Sequence, residues 1–235
     1  MGGSPAWDGT LSLGSFNTSA AALVKRWKEI EVDDSLPEWT WKPCSKSGVT
    51  SVVEGYLALE RVYRSCGRSQ VENSSDNVHV YDFHVVYGFS YKVPVLYFRG
   101  YHTSGQLLTL DEVKEGLPSH SQKVLSESKS TPHLSKPWLT LHPCATSDWM
   151  KLLLEETKAT DKERSLQYLP AWSTPHLSKP WLTLHPCATS DWMKLLLEET
   201  KATDKERSLQ YLPAWLSVVG QAVGLKIHLE LHSNS

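Results

Sequence analysis

The residues best suited to covalent chemistry in this chain are two copies of the tripeptide His-Pro-Cys, His142–Cys144 and His185–Cys187. Cysteine reacts as a thiolate, and a free thiol with a pKa of about 8.5 supplies only a few per cent of it at neutral pH. A place just ahead of a helix helps, because the unpaired N–H groups of the first turn favour negative charge. His142 or His185 lies two residues before the sulfur and shares a face with it if the preceding strand continues. The intervening proline removes a donor and stiffens the turn. Asp148 or Asp191 opposes the anion from the helix that follows. The expectation is a usable nucleophile at Cys187 or Cys144, with His185 or His142 in support and no strongly depressed pKa.

The tripeptide alone also fits a small buried cysteine. A papain-type protease is disfavoured, since the signature around its cysteine is missing. Zinc bound by His142, Cys144, His185 and Cys187 is disfavoured because His-x-Cys is not the usual ligand spacing, and a duplication explains both pairs more simply. No cofactor and no metal are expected.

That duplication is literal. Ser130–Trp172 recurs without a change as Ser173–Trp215. Two units are too few to enclose a solenoid core, so one copy reads as a surplus insertion within a single domain spanning residues 1–235. The fold has equivalent registers open to it, taking its strand, turn and helix from copy one, copy two or a mixture. Loop closure grows only logarithmically with length, so none of these prevents folding. Copy two is favoured, because it keeps the cysteine helix contiguous with the closing helix.

The elements that must hold the cysteine follow from periodicity. Phe16, Ala20, Leu23, Val24, Trp27 and Ile30 mark an amphipathic helix over Ser15–Ile30. Glu38–Trp41 and Val52–Arg64 read as extended, and Ser65–Asn77 as a loop. In His79–Tyr91, Tyr81, Phe83, Val85, Tyr87, Phe89 and Tyr91 alternate, which predicts a strand with six large side chains on one face. Val93–Arg99 pairs with it antiparallel, with Pro94 suited to an edge or irregular position. Gly105–Val113 is a short apolar segment and Lys114–Ser130 a polar surface loop. Each copy then yields a strand (Pro137–His142), a turn (Cys144–Ser147), a helix (Asp148–Thr157, with Trp149, Leu152 and Leu153 on one face) and a charged connector (Lys158–Arg164). A closing helix follows copy two. Pro213 is placed at its first position, Leu216, Val219 and Val223 along its buried stripe, and Gly224 at its end.

With 40% hydrophobic and 21% charged residues and a net charge of −2, the composition is that of an ordinary globular protein and carries no nucleic-acid footprint. The N-terminal residues lack the basic start and apolar stretch of a secretory signal. The longest apolar stretch, Leu216–Leu225, is far shorter than a bilayer span. A cytoplasmic protein without stable membrane insertion is expected. Cys44 and Cys66 join the duplicated pair, which leaves an odd number of independent thiols and no disulfide framework.

Taken together, YDFHVVYGFSYKVPVLYFRG (residues 81–100), GQLLTLDEV (105–113), PWLTLHPCATSDWM in either copy and YLPAWLSVVGQAVGL (211–225) resemble the autophagy-related protein 10 family, in the family's order. Residues 1–80, with WKEI and EWTWKP, fit more loosely. The autophagy-related protein 3 family also carries His-Pro-Cys but is longer. The resemblance implies an α+β, ubiquitin-conjugating (E2)-like fold, an antiparallel sheet flanked by helices, here with a duplicated strand-turn-helix segment. It implies that Cys187 or Cys144 accepts the ubiquitin-like autophagy-related protein 12 as a thioester from the E1-like autophagy-related protein 7. It further implies transfer of that modifier to a lysine of autophagy-related protein 5. The His-Pro-Asn of ordinary ubiquitin-conjugating enzymes is absent, so the oxyanion donor is unassigned. The alternative is a non-catalytic protein that binds modifier or acceptor, its site disrupted by the duplication.

Overall fold

The computed structural model describes residues 7–30, 37–44, 54–65, 78–122, 125–128, 138–141, 188–198 and 203–225. The alternating aromatic run forms the centre of the sheet. It becomes strand β3 (Val78–Gly88), paired along its whole length with β4 (Val93–His102), with Phe83 opposite Phe98 and Tyr87 opposite Pro94. Tyr81, Phe83, Val85 and Tyr87 are buried on one face as the period of two requires. The strand stops at Gly88, shorter than predicted. Phe89 and Tyr91 lie in the connecting turn, where Lys92 N–H donates to Gly88 O and Lys92 takes φ +52°, and both rings are exposed.

On one side of β3 lies β2 (Gly55–Ser65), which in turn pairs with β1 (Thr40–Pro43). The register of β2 slips between Leu59 and Val62, where Arg61 adopts φ +61° and its N–H donates to Asp82 Oδ1 at 3.0 Å. Burial falls off along β2 from this bulge onward, and Tyr63 is exposed. On the other side, β4 pairs with β6 (Trp138–Leu141), and β6 pairs with β5 (Leu125–Ser128). The resulting six-stranded antiparallel order is β1-β2-β3-β4-β6-β5. β6 meets β4 at Tyr97 and Phe98, so Pro94 lies beyond the paired stretch, as its missing donor demands.

The stretch Lys114–Ser130, expected as a surface loop, instead holds the end of helix α2 (Leu110–Glu115), the short α3 (Ser119–Gln122) and edge strand β5. The reason is local chemistry that hydropathy does not register. Thr109 and Glu112 form a reciprocal capping box that starts α2, and Ser121 N–H donates to Pro118 O to start the next turn.

Helix α1 (Leu13–Ile30) buries Phe16, Ala20, Leu23 and Trp27 of the predicted stripe in the core, while Val24 and Ile30 are only partly buried. It starts earlier than expected because Ser12 caps it, accepting from Ser15 N–H at 3.0 Å. Helix α4 (Ala188–Glu198) and helix α5 (Asp204–Ala222) complete the core on the same face. Each large side chain here contributes about 1.5–3 kcal/mol through burial.

Two expectations are corrected in α5. The charged segment at its start, the second-copy counterpart of Lys158–Arg164, is helical from Asp204, because Thr203 and Glu206 form a second capping box. Pro213 therefore lies inside the helix rather than at its first position, and Leu212 N–H is satisfied by Ser19 Oγ at 3.0 Å. Leu216, Val219 and Val223 are buried as expected, and Gly224 follows the helix with φ +64°. No helix among the described residues is long and apolar enough to cross a membrane.

The described elements draw on both repeat copies. Strand β6 comes from copy one, whereas α4 and α5 come from copy two. The first-copy turn and helix, Cys144–Ser147 and Asp148–Thr157, and the expected loop beyond Ser65, residues 66–77, lie outside the described residues. In copy two, the counterpart of the expected turn is helical from Ala188. The helix buries Trp192, Met193 and Leu197, while Leu196 is only partly buried.

Candidate active site

Cys144, Cys187, His142 and His185 all lie outside the described residues, but the elements adjoining them are defined. β6 ends at Leu141, directly before His142. α4 begins at Ala188, directly after Cys187. Residues 142–187 thus separate a strand and a helix that a single copy would join through His-Pro-Cys alone. Thr140 Oγ1 donates to Leu96 O at 2.9 Å, which directs the end of β6 toward the Gly88–Val93 turn.

The start of α4 is tied to that same end of the sheet by residues Trp7–Leu11, which sequence reading overlooked. Leu11 N–H donates to Lys92 O at 2.8 Å, and Tyr87 Oη donates to Leu11 O at 2.7 Å. Tyr211 Oη donates to Gly9 O at 2.9 Å. Gly9, at φ +82°, lies against Ser190 in the first turn of α4. Its signal in the sequence is faint, a glycine in a polar stretch whose partners are remote in the chain. Tyr211 is buried, which pushes its phenol far above the ordinary range, so it acts there as a fixed donor.

The opposite face of the sheet carries a stacked row, also unanticipated. His84 lies between the rings of Tyr56, 4.7 Å away, and Trp138, 4.2 Å away. The Arg99 guanidinium covers Trp138 at 4.2 Å and faces Tyr101 at 5.2 Å. Burial lowers the His84 pKa to about 3; Asp82 pulls it up slightly, while Arg99 and Lys42 push it further down. Glu60 Oε1 sits 3.4 Å from its Nε2, but that carboxylate is well exposed and the contact long, so desolvation prevails and His84 stays neutral. Burial of Tyr101 raises its phenol to about 12. His84, Tyr97 and Thr140 are opposite one another across β3, β4 and β6, which links this row to the strand leading into His142.

Cys44 provides a contrast. It is half-buried against the cluster of Tyr56, Ala58 and Val86, and burial pushes its thiol up, the reverse of what a nucleophile needs. No group of three or more His, Cys, Asp and Glu among the described residues is arranged to hold a metal ion.

A six-stranded antiparallel sheet with helices packed on one face defines an α+β, E2-like conjugating fold. The profile of the family described as autophagocytosis associated protein, active-site domain, matches residues 15–174 and again 173–230, once with each repeat copy. The chain belongs to this family of E2-like enzymes of the autophagy conjugation pathway. Its relatives include the ubiquitin-like-conjugating enzyme ATG10 of Arabidopsis thaliana, 36% identical over 70% of this chain and 88% of that protein. The Homo sapiens enzyme of the same name is 33% identical over 42% of this chain and 47% of that protein. Autophagy-related protein 3 of Scheffersomyces stipitis is 26% identical over 42% of this chain but only 31% of its own length.

Proposed function

We propose that the chain carries a ubiquitin-like modifier, autophagy-related protein 12, as a thioester on Cys187, or on Cys144 in its place. The observation that carries this reading is that α4 starts one residue after the second His-Pro-Cys in the sequence, and the first-turn N–H groups of a helix favour a negative charge near it. The sulfur attacks the carbonyl carbon of the modifier's C-terminal thioester on the E1-like autophagy-related protein 7. The E1 sulfur leaves with the electron pair of the broken C–S bond. An unprotonated lysine Nζ of autophagy-related protein 5 then attacks the same carbon. The sulfur departs as thiolate, and nitrogen loses a proton to give the amide. His185 and His142 are candidates for supporting this chemistry.

The test is to charge Cys144→Ser and Cys187→Ser separately with E1-like enzyme, ATP and modifier. Serine at the reactive position traps an oxyester that resists reducing agent. The expected result is a reductant-stable adduct with Cys187→Ser and a labile one with Cys144→Ser. Loss of both sulfurs to Ala abolishes the labile adduct, and its persistence refutes the assignment. Binding of the modifier without any charging of the parent chain favours the non-catalytic reading.

A further inference from the structure

Two histidines stand side by side at one end of the sheet, on the face that the helices cover. His79 of β3 and His102 of β4 are direct cross-strand partners, their rings edge-to-face with centroids 5.3 Å apart. His79 is buried and meets Tyr81 edge-on at 6.4 Å, whereas His102 is partly exposed. The His102 backbone closes the turn that leads toward α2. Its N–H donates to Gln106 O, and its carbonyl accepts from Gly105 N–H, with Gly105 at φ +87°. The His102 ring reaches α2 itself, Nε2 lying 3.3 Å from Glu112 Oε1. The other oxygen of that carboxylate accepts from Thr109 N–H and Thr109 Oγ1, both at 2.7 Å. One carboxylate thus closes the capping box of α2 and fastens the helix to β4. Among the described residues, Arg64 is the partner of His79 on β2, but its guanidinium lies over Tyr81 and Phe83. The remaining charges of α2 are the exposed Glu115 and the Asp111–Lys114 pair, 3.8 Å apart.

We infer that His79, His102 and Glu112 form a proton-sensitive joint between the sheet and α2, closed with at most one proton on the two rings and loosened by a second. With one imidazolium, Glu112 supplies the balancing charge. With two, like charges stand directly opposite across β3 and β4, an arrangement that destabilises a sheet, and a single carboxylate cannot neutralise both. Burial, and then His102, hold the His79 imidazole below its ordinary range, with Glu112 opposing them. The bonds from Thr109, and then His102 and His79, hold the Glu112 carboxyl below its own range, so it stays charged while the rings titrate. When α2 and the end of β4 part, His79 returns toward the ordinary 6.5. The open form therefore binds more protons below that pH, and acid favours it.

The experiment follows the full chain by NMR, reading the sequentially assigned imidazole signals and amide protection against pH. The probes are the amides of Leu108 and Val113, which donate to Gly100 O and Thr109 O. Their protection is taken as a ratio to that of amides at the centre of β3 and β4, which removes both the intrinsic pH dependence of exchange and any loss of stability by the whole fold. In the parent the ratio falls about fivefold between about pH 7 and 5, the order expected of a like-charge cross-strand pair. In His79→Gln it stays level. The His79 midpoint moves up in His102→Gln, which removes the competing charge. It moves down in Glu112→Gln, where glutamine keeps the capping box but not the carboxylate. A His79 midpoint that neither variant moves overturns the inference, as does a ratio that falls in His79→Gln as it does in the parent. If His79→Gln does not fold, His102→Gln at the more exposed position replaces it: a level ratio there supports the joint, and a parental fall overturns it.

Discussion

Several side chains hold this fold through chemistry that their sequence neighbours do not announce. His84 is the clearest case, a neutral imidazole stacked between Tyr56 and Trp138. Its folded pKa of about 3 lies below the ordinary 6.5, so the unfolded chain binds more protons between those values. Stability therefore falls as pH drops through about 6.5 toward 3. His84→Phe preserves a ring in the stack but not the titration, so it should remove about 2 kcal/mol of the stability lost between pH 6.5 and 4.5. Urea midpoints at those two pH values check this, and an unchanged slope would assign it to other groups. Arg64 shows a second device. Its guanidinium lies over Tyr81 and Phe83 at 5.0 and 5.1 Å and donates to Val223 O beyond α5, and burial lowers its pKa to about 10. Arg64→Met retains the stem but loses the bond and the ring contacts. A loss of about 1–3 kcal/mol in denaturant unfolding is expected.

At the scale of elements, caps and inserted bonds decide where helices begin and bend. Thr203 converts a charged stretch into the first turn of α5, and Thr203→Ala should reduce stability by about 1 kcal/mol, read from thermal unfolding. Ser19 on α1 accepts from Leu212 N–H beside Pro213, joining the two helices at the point where proline interrupts the ladder. Ser19→Ala leaves that buried N–H without its acceptor and should cost about 1–3 kcal/mol, more than the exposed cap, whose N–H water can satisfy. Amide exchange at Leu212 should quicken in that variant; unchanged protection would mean the bond contributes nothing. The capping boxes at Thr109 and Thr203 are legible in the sequence as Thr-x-x-Glu, but the first reads only as part of a short apolar segment and the second as a charged connector, because the first turn after Thr203 is polar on every side.

At the scale of the molecule, the duplication interrupts the junction between β6 and α4 and leaves both elements in place. Any deletion of one repeat length within the two copies produces the same shortened protein, with one His-Pro-Cys. Replacing a connection of residues 142–187 by three residues removes loop-closure entropy of roughly 2 kcal/mol. The shortened protein should melt several degrees higher and charge at its single cysteine; a lower melting temperature would show that the extra segment stabilises the fold. The sequence by itself determined the central β3–β4 pair, the α1 stripe, the closing helix and the two sulfurs, because these rest on local periodicity and residue type. The tertiary structure alone decided that β6 is drawn from one copy and α4 from the other, since identical sequences carry no information with which to choose. It alone also showed Gly9 lying against Ser190 and His84 held neutral within a stack, because contacts between residues far apart in the chain leave no period to read.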